Sequence, residues 1–163
     1  MRHMHKPGRL LMLLGACLLL TACAGIFQEE EAALTPPEPQ PELTRITVTA
    51  GDTQLQGVLF DNETARGLAS LLPLEVPVWN PAPGFAKAFD LEEHLPDAPE
   101  HTRWYELGGL AYWDEGPSVA IFYSDHLDRT VVPVTTIGRL EGDVRLLEPY
   151  SNSLRIDAVS SVE

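Results

Sequence analysis

Ser124, Asp125 and His126 place the residue types of a nucleophilic hydrolase in three consecutive positions. Adjacent residues cannot converge on one reacting atom, and no Gly-x-Ser-x-Gly elbow accompanies them, so this class is set aside. His94 and His101 sit among Glu92, Glu93, Asp97 and Glu100, while Asp125, His126 and Asp128 form a second group. Neither has the spacing of a helix-borne two-histidine site or of a zinc finger, and both read as solvated loop charge, so no metal is expected. No glycine-rich phosphate loop follows a strand, which leaves nucleotide binding without support and implies no cofactor. A better pattern is aromatic: Trp104, Tyr105, Tyr112, Trp113, Phe122 and Tyr123 fall within twenty residues. In a two-strand hairpin alternate members share a face. Most such rings serve a core; those left exposed beside a β groove suit an extended peptide or a sugar. Trp104, at a loop–strand junction, is the first candidate for ligand contact, with Trp113 and Tyr123 beside it.

Cys23 carries chemistry of another kind. Basic residues Arg2, Lys6 and Arg9 precede an eleven-residue apolar run, Leu10 to Leu20, that closes in Leu20-Thr21-Ala22-Cys23. A basic start, a short apolar stretch and small residues before a cut make a secretory signal, too short for a spanning helix of about 20 residues. The ending is similar to a bacterial lipoprotein signal, which implies cleavage before Cys23 and diacylation of its thiol. Ala24 follows the cysteine, where an Asp would typically mark inner-membrane retention in enteric bacteria. That resemblance implies an outer membrane facing the periplasm, or, in a single-membrane cell, the outer face of the plasma membrane.

Charge then limits the partners. Residues 23–163 hold eight Lys and Arg against 24 Asp and Glu, a net charge of −16. Such a surface repels nucleic acid and anionic headgroups, so membrane attachment falls to acyl chains on Cys23. Cys17 leaves with the signal and Cys23 is acylated, so no pair remains for a disulfide. The 141 residues that follow the signal suit one domain with its own hydrophobic core.

The chain divides into a leader, residues 1–22, a tether, 23–43, a domain, 44–147, and a tail, 148–163. Glu29 to Glu31 and Pro36, Pro37, Pro39 and Pro41 leave the tether little to bury. Prolines bias it to an extended form that reaches roughly 60 Å in some twenty residues. In the domain, Ile46, Val48 and Ala50 alternate with Thr47 and Thr49 before the turn residues Gly51 and Asp52. This predicts a half-buried strand, with Gln54 to Phe60 as its hairpin partner. Asp61 or Asn62 caps a helix whose stripe is Ala65, Leu68, Ala69 and Leu72, ending at Pro73. Leu74 to Asn80 and Phe85 to Leu91 predict a hairpin around Pro81, Pro83 and Gly84. Leu110 to Trp113 and Val119 to Tyr123 flank an Asp-Glu-Gly-Pro turn and are apolar at both parities, which predicts burial on both faces or a covered groove. A strand at Val134 to Leu140 follows Pro133, and Leu154 and Ile156 offer a short one in the tail. Many short strands and one helix make the chain all-β, a barrel or a sandwich.

The words Asp61-Asn62-Glu63-Thr64-Ala65, Leu71-Leu72-Pro73-Leu74, Gly109-Leu110-Ala111-Tyr112-Trp113, Ala120-Ile121-Phe122-Tyr123 and Ile137-Gly138-Arg139 resemble, in order and spacing over 44–147, the bacterial cyclophilin-like domain family. The resemblance implies a small closed barrel of short antiparallel strands related to the peptidyl-prolyl isomerase cyclophilins, plugged by the helix near 62–72. Most members of the family have no established activity. A prolyl isomerase seats the proline ring in an apolar pocket and offers a donor, usually Arg, to the prolyl nitrogen, lowering a barrier of about 18–20 kcal/mol. Cyclophilins carry that Arg in a Phe-x-Phe-His-Arg-like strand, which this chain lacks. Arg66, Arg103 and Arg139 are the candidate substitutes, each with a structural reading: helix surface, loop charge and strand-end ion pair. The expectation is a lipid-anchored, extracytoplasmic, non-catalytic module binding an extended peptide or envelope protein. The alternative is a slow prolyl isomerase acting on envelope proteins.

Overall fold

Residues 35–96 and 100–159 are described by a computed structural model. Cys23, the apolar leader and Asp97 lie outside the described residues. Among the described residues, eight strands, one α-helix and a 3₁₀ turn follow in the order β1 (Glu42–Ala50), β2 (Thr53–Phe60), α1 (Glu63–Ser70), β3 (Leu74–Pro77), β4 (Ala86–Asp90), β5 (Gly109–Trp113), β6 (Ser118–Phe122), β7 (Thr135–Leu140), the turn (Val144–Leu147) and β8 (Ser153–Ala158). They form one antiparallel sheet in the order β3-β8-β1-β2-β7-β5-β6-β4, curled into a nearly closed barrel. Among the described residues the fold is all-β with a single helix, as expected.

Alternation decides what fills it. Ile46 and Val48 of β1, Leu59 of β2, Leu110 and Tyr112 of β5, Val119 and Ile121 of β6, Ile137 of β7 and Leu154 and Ile156 of β8 are buried in one continuous core. The β1–β2 turn puts Gly51 at φ 59° and keeps Asp52 at negative φ, the requirement of a two-residue turn with glycine first. Gly138 of β7 lets β2 come close, since a Cβ there would lie 2.4 Å from the Val58 carbonyl oxygen.

Helix α1 is two turns long and begins at a strong cap. Asn62 Oδ1 accepts from the Ala65 N–H at 2.8 Å, while Asn62 Nδ2 donates to Gln40 Oε1 at 2.7 Å and to the Thr136 carbonyl at 3.0 Å. Such a cap is worth about 1 kcal/mol, and this one also ties the helix to β7 and to the tether. Ala65 and Leu68 are fully buried in the core, against β1, β2 and β7. The tether is not free throughout: the Asp61 N–H donates to the Pro41 carbonyl at 2.8 Å, so its last residues lie on the barrel.

Two elements differ from the sequence expectation. Leu74 to Asn80 does not form a hairpin with Phe85 to Leu91; β3 pairs with β8 instead. Backbone pairing of this segment with β4 is one bridge, in which Trp79 and Ala88 exchange N–H···O bonds of 2.9 and 2.8 Å. Continuing that register would set Pro77 against Asp90 and Pro81 against Ala86. Neither proline has an N–H to offer, so the ladder stops and the barrel seam rests on a single rung. The other difference is at the C-terminal end, where β8 continues the barrel beyond residue 147 and lies between β1 and β3.

Candidate functional site

Strands β4, β6 and β5 have an outer face as well as an interior one. Register puts Ala88 beside Ala120 and Ala120 beside Ala111, with Phe122 and Ser118 on the same face of β6 and Trp113 opposite Ser118. Three alanines on neighbouring strands make a shallow floor where larger side chains would have filled the space. A cavity of about 210 Å³ results, walled by Trp79, Phe85, Trp113, Val131 and Val134. Trp79 is 41% exposed and Val131 68%, so two large apolar side chains stand at its mouth. Apolar patterning on both faces of β5 and β6 predicts burial on both faces or a covered groove, and this face lines a cavity.

The walls are fixed by polar bonds behind them. Phe85, Tyr105 and Phe122 pack with ring centroids 4.8–5.1 Å apart. The Tyr105 hydroxyl donates to the Leu127 carbonyl at 2.7 Å and accepts from the Leu127 N–H at 3.0 Å. Arg103 Nη1 donates to the Val131 carbonyl at 2.7 Å, and Thr130 Oγ1 to the Val132 carbonyl at 2.7 Å. The loop carrying Val131 is thereby strapped over the floor. On the opposite wall Trp79 Nε1 donates to Asp90 Oδ1 at 3.0 Å. Gly116 leaves room for the Trp113 ring, 2.5 Å from where its Cβ would stand.

The residues singled out from the sequence separate. Trp113 lines the cavity. Trp104 is half-buried and outside it, its backbone N–H donating to Thr102 Oγ1 at 2.9 Å. Tyr123 is only 3% exposed and faces the interior, because it lies one residue past Phe122 and so points the other way. Lys87 Nζ stands 5.6 Å from its ring centroid and donates to Asn80 Oδ1 at 2.8 Å. Burial lowers the Lys87 pKa, with Glu148 opposing; burial raises that of Tyr123, and Glu148 adds to it. Burial also raises the Tyr105 pKa, the Leu127 bond lowers it, and Asp125 and Asp128 nearby raise it further.

None of the three arginines reaches the cavity as a lining side chain. Arg66 pairs with Asp61, Arg103 is spent on the loop carbonyls, and Arg139 is exposed on β7. Ser124 Oγ lies 2.8 Å from His126 Nδ1, but Asp125 turns to Arg145 at 3.4 Å, so no triad forms. His94 Nδ1 meets Asp114 Oδ1 at 3.1 Å, and among the described residues no three acidic, histidine or cysteine side chains group to hold a metal. A larger cavity of about 950 Å³ lies between residues 35–41 and the start of α1. It is open, and its Arg66 is already paired, so the smaller apolar cavity is the better binding site.

Trp79 and Val131 are the residues that sequence reasoning passes over. Trp79 merges into a strand pattern, although a tryptophan two residues before Pro81 has little ladder to join. The alanine floor has no sequence signal of its own, since a pocket is a deficit of side-chain volume.

A family model described as the cyclophilin-like family matches residues 48–157, from β1 to β8. Among solved structures, the solution structure of the hypothetical protein AF2241 from Archaeoglobus fulgidus is similar at 21% identity, with a TM-score of 0.59, covering 76% of this chain and 100% of that one. That likeness is one of fold. No curated protein matches the chain.

Proposed function

Since the chain belongs to the cyclophilin-like family, we propose that it is a lipid-anchored, extracytoplasmic module whose barrel binds an apolar side chain of an extended peptide or envelope protein without catalysis. The observation that supports binding over isomerisation is the lining of the 210 Å³ cavity: mostly tryptophan, phenylalanine, valine, alanine and proline, with Ser118 and Thr130 the polar residues and no guanidinium among the lining side chains. Rotation about a prolyl bond is accelerated by a donor placed at the nitrogen as resonance is lost. Here the Arg103 guanidinium, at the loop wall, is held by the Val131 carbonyl.

The purified protein should leave cis/trans exchange of a proline peptide at its uncatalysed rate. A short peptide with a central leucine should alter its tryptophan fluorescence. Ala120→Leu, which raises the floor, should weaken that binding about tenfold or more. Faster exchange that is lost in Arg66→Ala, Arg103→Ala or Arg139→Ala would establish an isomerase instead.

Anchoring is assigned to Cys23 on the motif that ends the apolar run. Two acyl chains suffice for stable attachment, and the acidic mature chain offers no basic patch to add to them. Among the described residues no helix is long and apolar enough to cross a membrane. Cys23→Ser should therefore abolish incorporation of a labelled fatty acid and leave an uncleaved or soluble precursor. Label persisting on that variant would refute the assignment.

A further inference from the structure

We infer that the occupant of the apolar cavity is a cationic segment: one aliphatic side chain seated between Trp79 and Trp113, with lysine or arginine flanking it in the same extended chain. The inference rests on the binding reading above. Its first support is size, since a cavity of about 210 Å³ accommodates a single large side chain and little else.

The second support is charge around the mouth. Asp90 stands at the Trp79 wall, held through the indole N–H, and is exposed. Glu115 is exposed on the turn that follows Trp113. Asp128 is exposed at the start of the strapped loop, near the Tyr105 hydroxyl. The basic side chains of residues 23–163 are outnumbered by the acids, eight against 24. Arg45, Arg66, Arg145 and Arg155 each pair with an acid, Lys87 is buried against Tyr123, Arg139 is exposed on β7, and in the cavity wall Arg103 is bonded to the Val131 carbonyl while Arg129 is exposed next to Asp128. With a net charge of −13 for the whole chain and −16 for residues 23–163, the excess is left to act on an approaching partner.

The same excess disfavours the other occupants of an exposed apolar site. A second copy would bring one acidic surface onto another, and an anionic membrane would be repelled. A partner whose anchor is flanked by cations gains from both the floor and the rim, with electrostatics governing encounter and selectivity.

Three short peptides test this on the soluble Cys23→Ser protein with its leader removed. They share a central leucine in a Gly/Ser background and differ only in flanking Lys, Ser or Glu. We expect the Lys-flanked peptide to bind at least about tenfold tighter than the Ser-flanked one in low salt, with the Glu-flanked one weakest. The difference should collapse at about 0.5 M salt. Joint Glu115→Gln and Asp128→Asn substitution should reduce the Lys advantage and leave Ser-flanked binding unchanged. Equal binding of all three would overturn the cationic partner while the pocket reading stood. Binding by none would overturn the pocket reading and this inference with it. Undiminished Lys-peptide binding after its leucine is replaced by glycine would show attraction to an acidic surface alone, and would overturn the inference as well.

Discussion

Leu68→Asp should abolish the cooperative melt of the domain. Leu68 has no exposed surface and packs in the same core as Ile46, Leu59 and Ile137, where α1 meets β1, β2 and β7. A carboxylate there has neither water nor a cation to neutralise it. Leaving a charge unpaired in such a place costs several kcal/mol, against a total stability of about 5–15 kcal/mol. Because the core is continuous, the loss extends beyond the helix. Leu71→Asp is the control: the C-cap residue of the same helix is 45% exposed and should melt nearly as the wild type does. A normal circular-dichroism melt for Leu68→Asp would mean that the helix contributes nothing to the barrel interior.

That contrast depends on an element the sequence marks clearly. Asn62 is a capping residue, Glu63 follows it at the positive end of the helix, and the stripe at Ala65 and Leu68 has helical spacing, so α1 is legible from a dozen residues. The β1–β2 and β5–β6 hairpins are equally local, because alternation and a turn lie side by side in the chain. Pairing of β3 with β8 is different. About eighty residues separate the partners, and β8 shows its period of two only in Leu154 and Ile156 between Ser153, Arg155 and Asp157. Nothing in a short alternating run names its distant neighbour. Choosing between barrel and sandwich likewise required the Trp79–Ala88 rung, whose isolation follows from prolines on either side of Trp79.

At the candidate site, parity was the readable part and placement was not. Trp113, Ala111, Ala120 and Phe122 share an outer face by register, while Tyr112 faces the interior, and Tyr123, beyond the end of β6, joins it there. The aromatic cluster therefore splits between the core and the cavity wall. Trp104 precedes the first strand of that hairpin, so no register constrains it. Val131 reaches the cavity only because Arg103 and Tyr105, more than twenty residues earlier, bond to its loop. Arg103, one of the three arginines considered for catalysis, thus holds the wall of an apolar pocket.

Phe122→Ala and Trp104→Ala should part company in urea unfolding. Phe122 is 3% exposed, with its ring centroid 5.1 Å from that of Phe85 and 4.8 Å from that of Tyr105. Truncating a buried aromatic to alanine costs about 3–5 kcal/mol, and the lost ring contacts add to the cavity left behind. Phe122 also backs the cavity floor, so the same substitution should weaken leucine-peptide binding even where the protein remains folded. Trp104 belongs to neither apolar cluster and does not line the cavity, and its removal should shift stability by much less, about 1 kcal/mol or below. A midpoint for Trp104→Ala as low as that for Phe122→Ala would make the indole part of the core. Loss of leucine-peptide binding in Trp104→Ala at unchanged stability would instead extend the binding surface from the cavity to the 102–105 segment, past the strap that Arg103 provides.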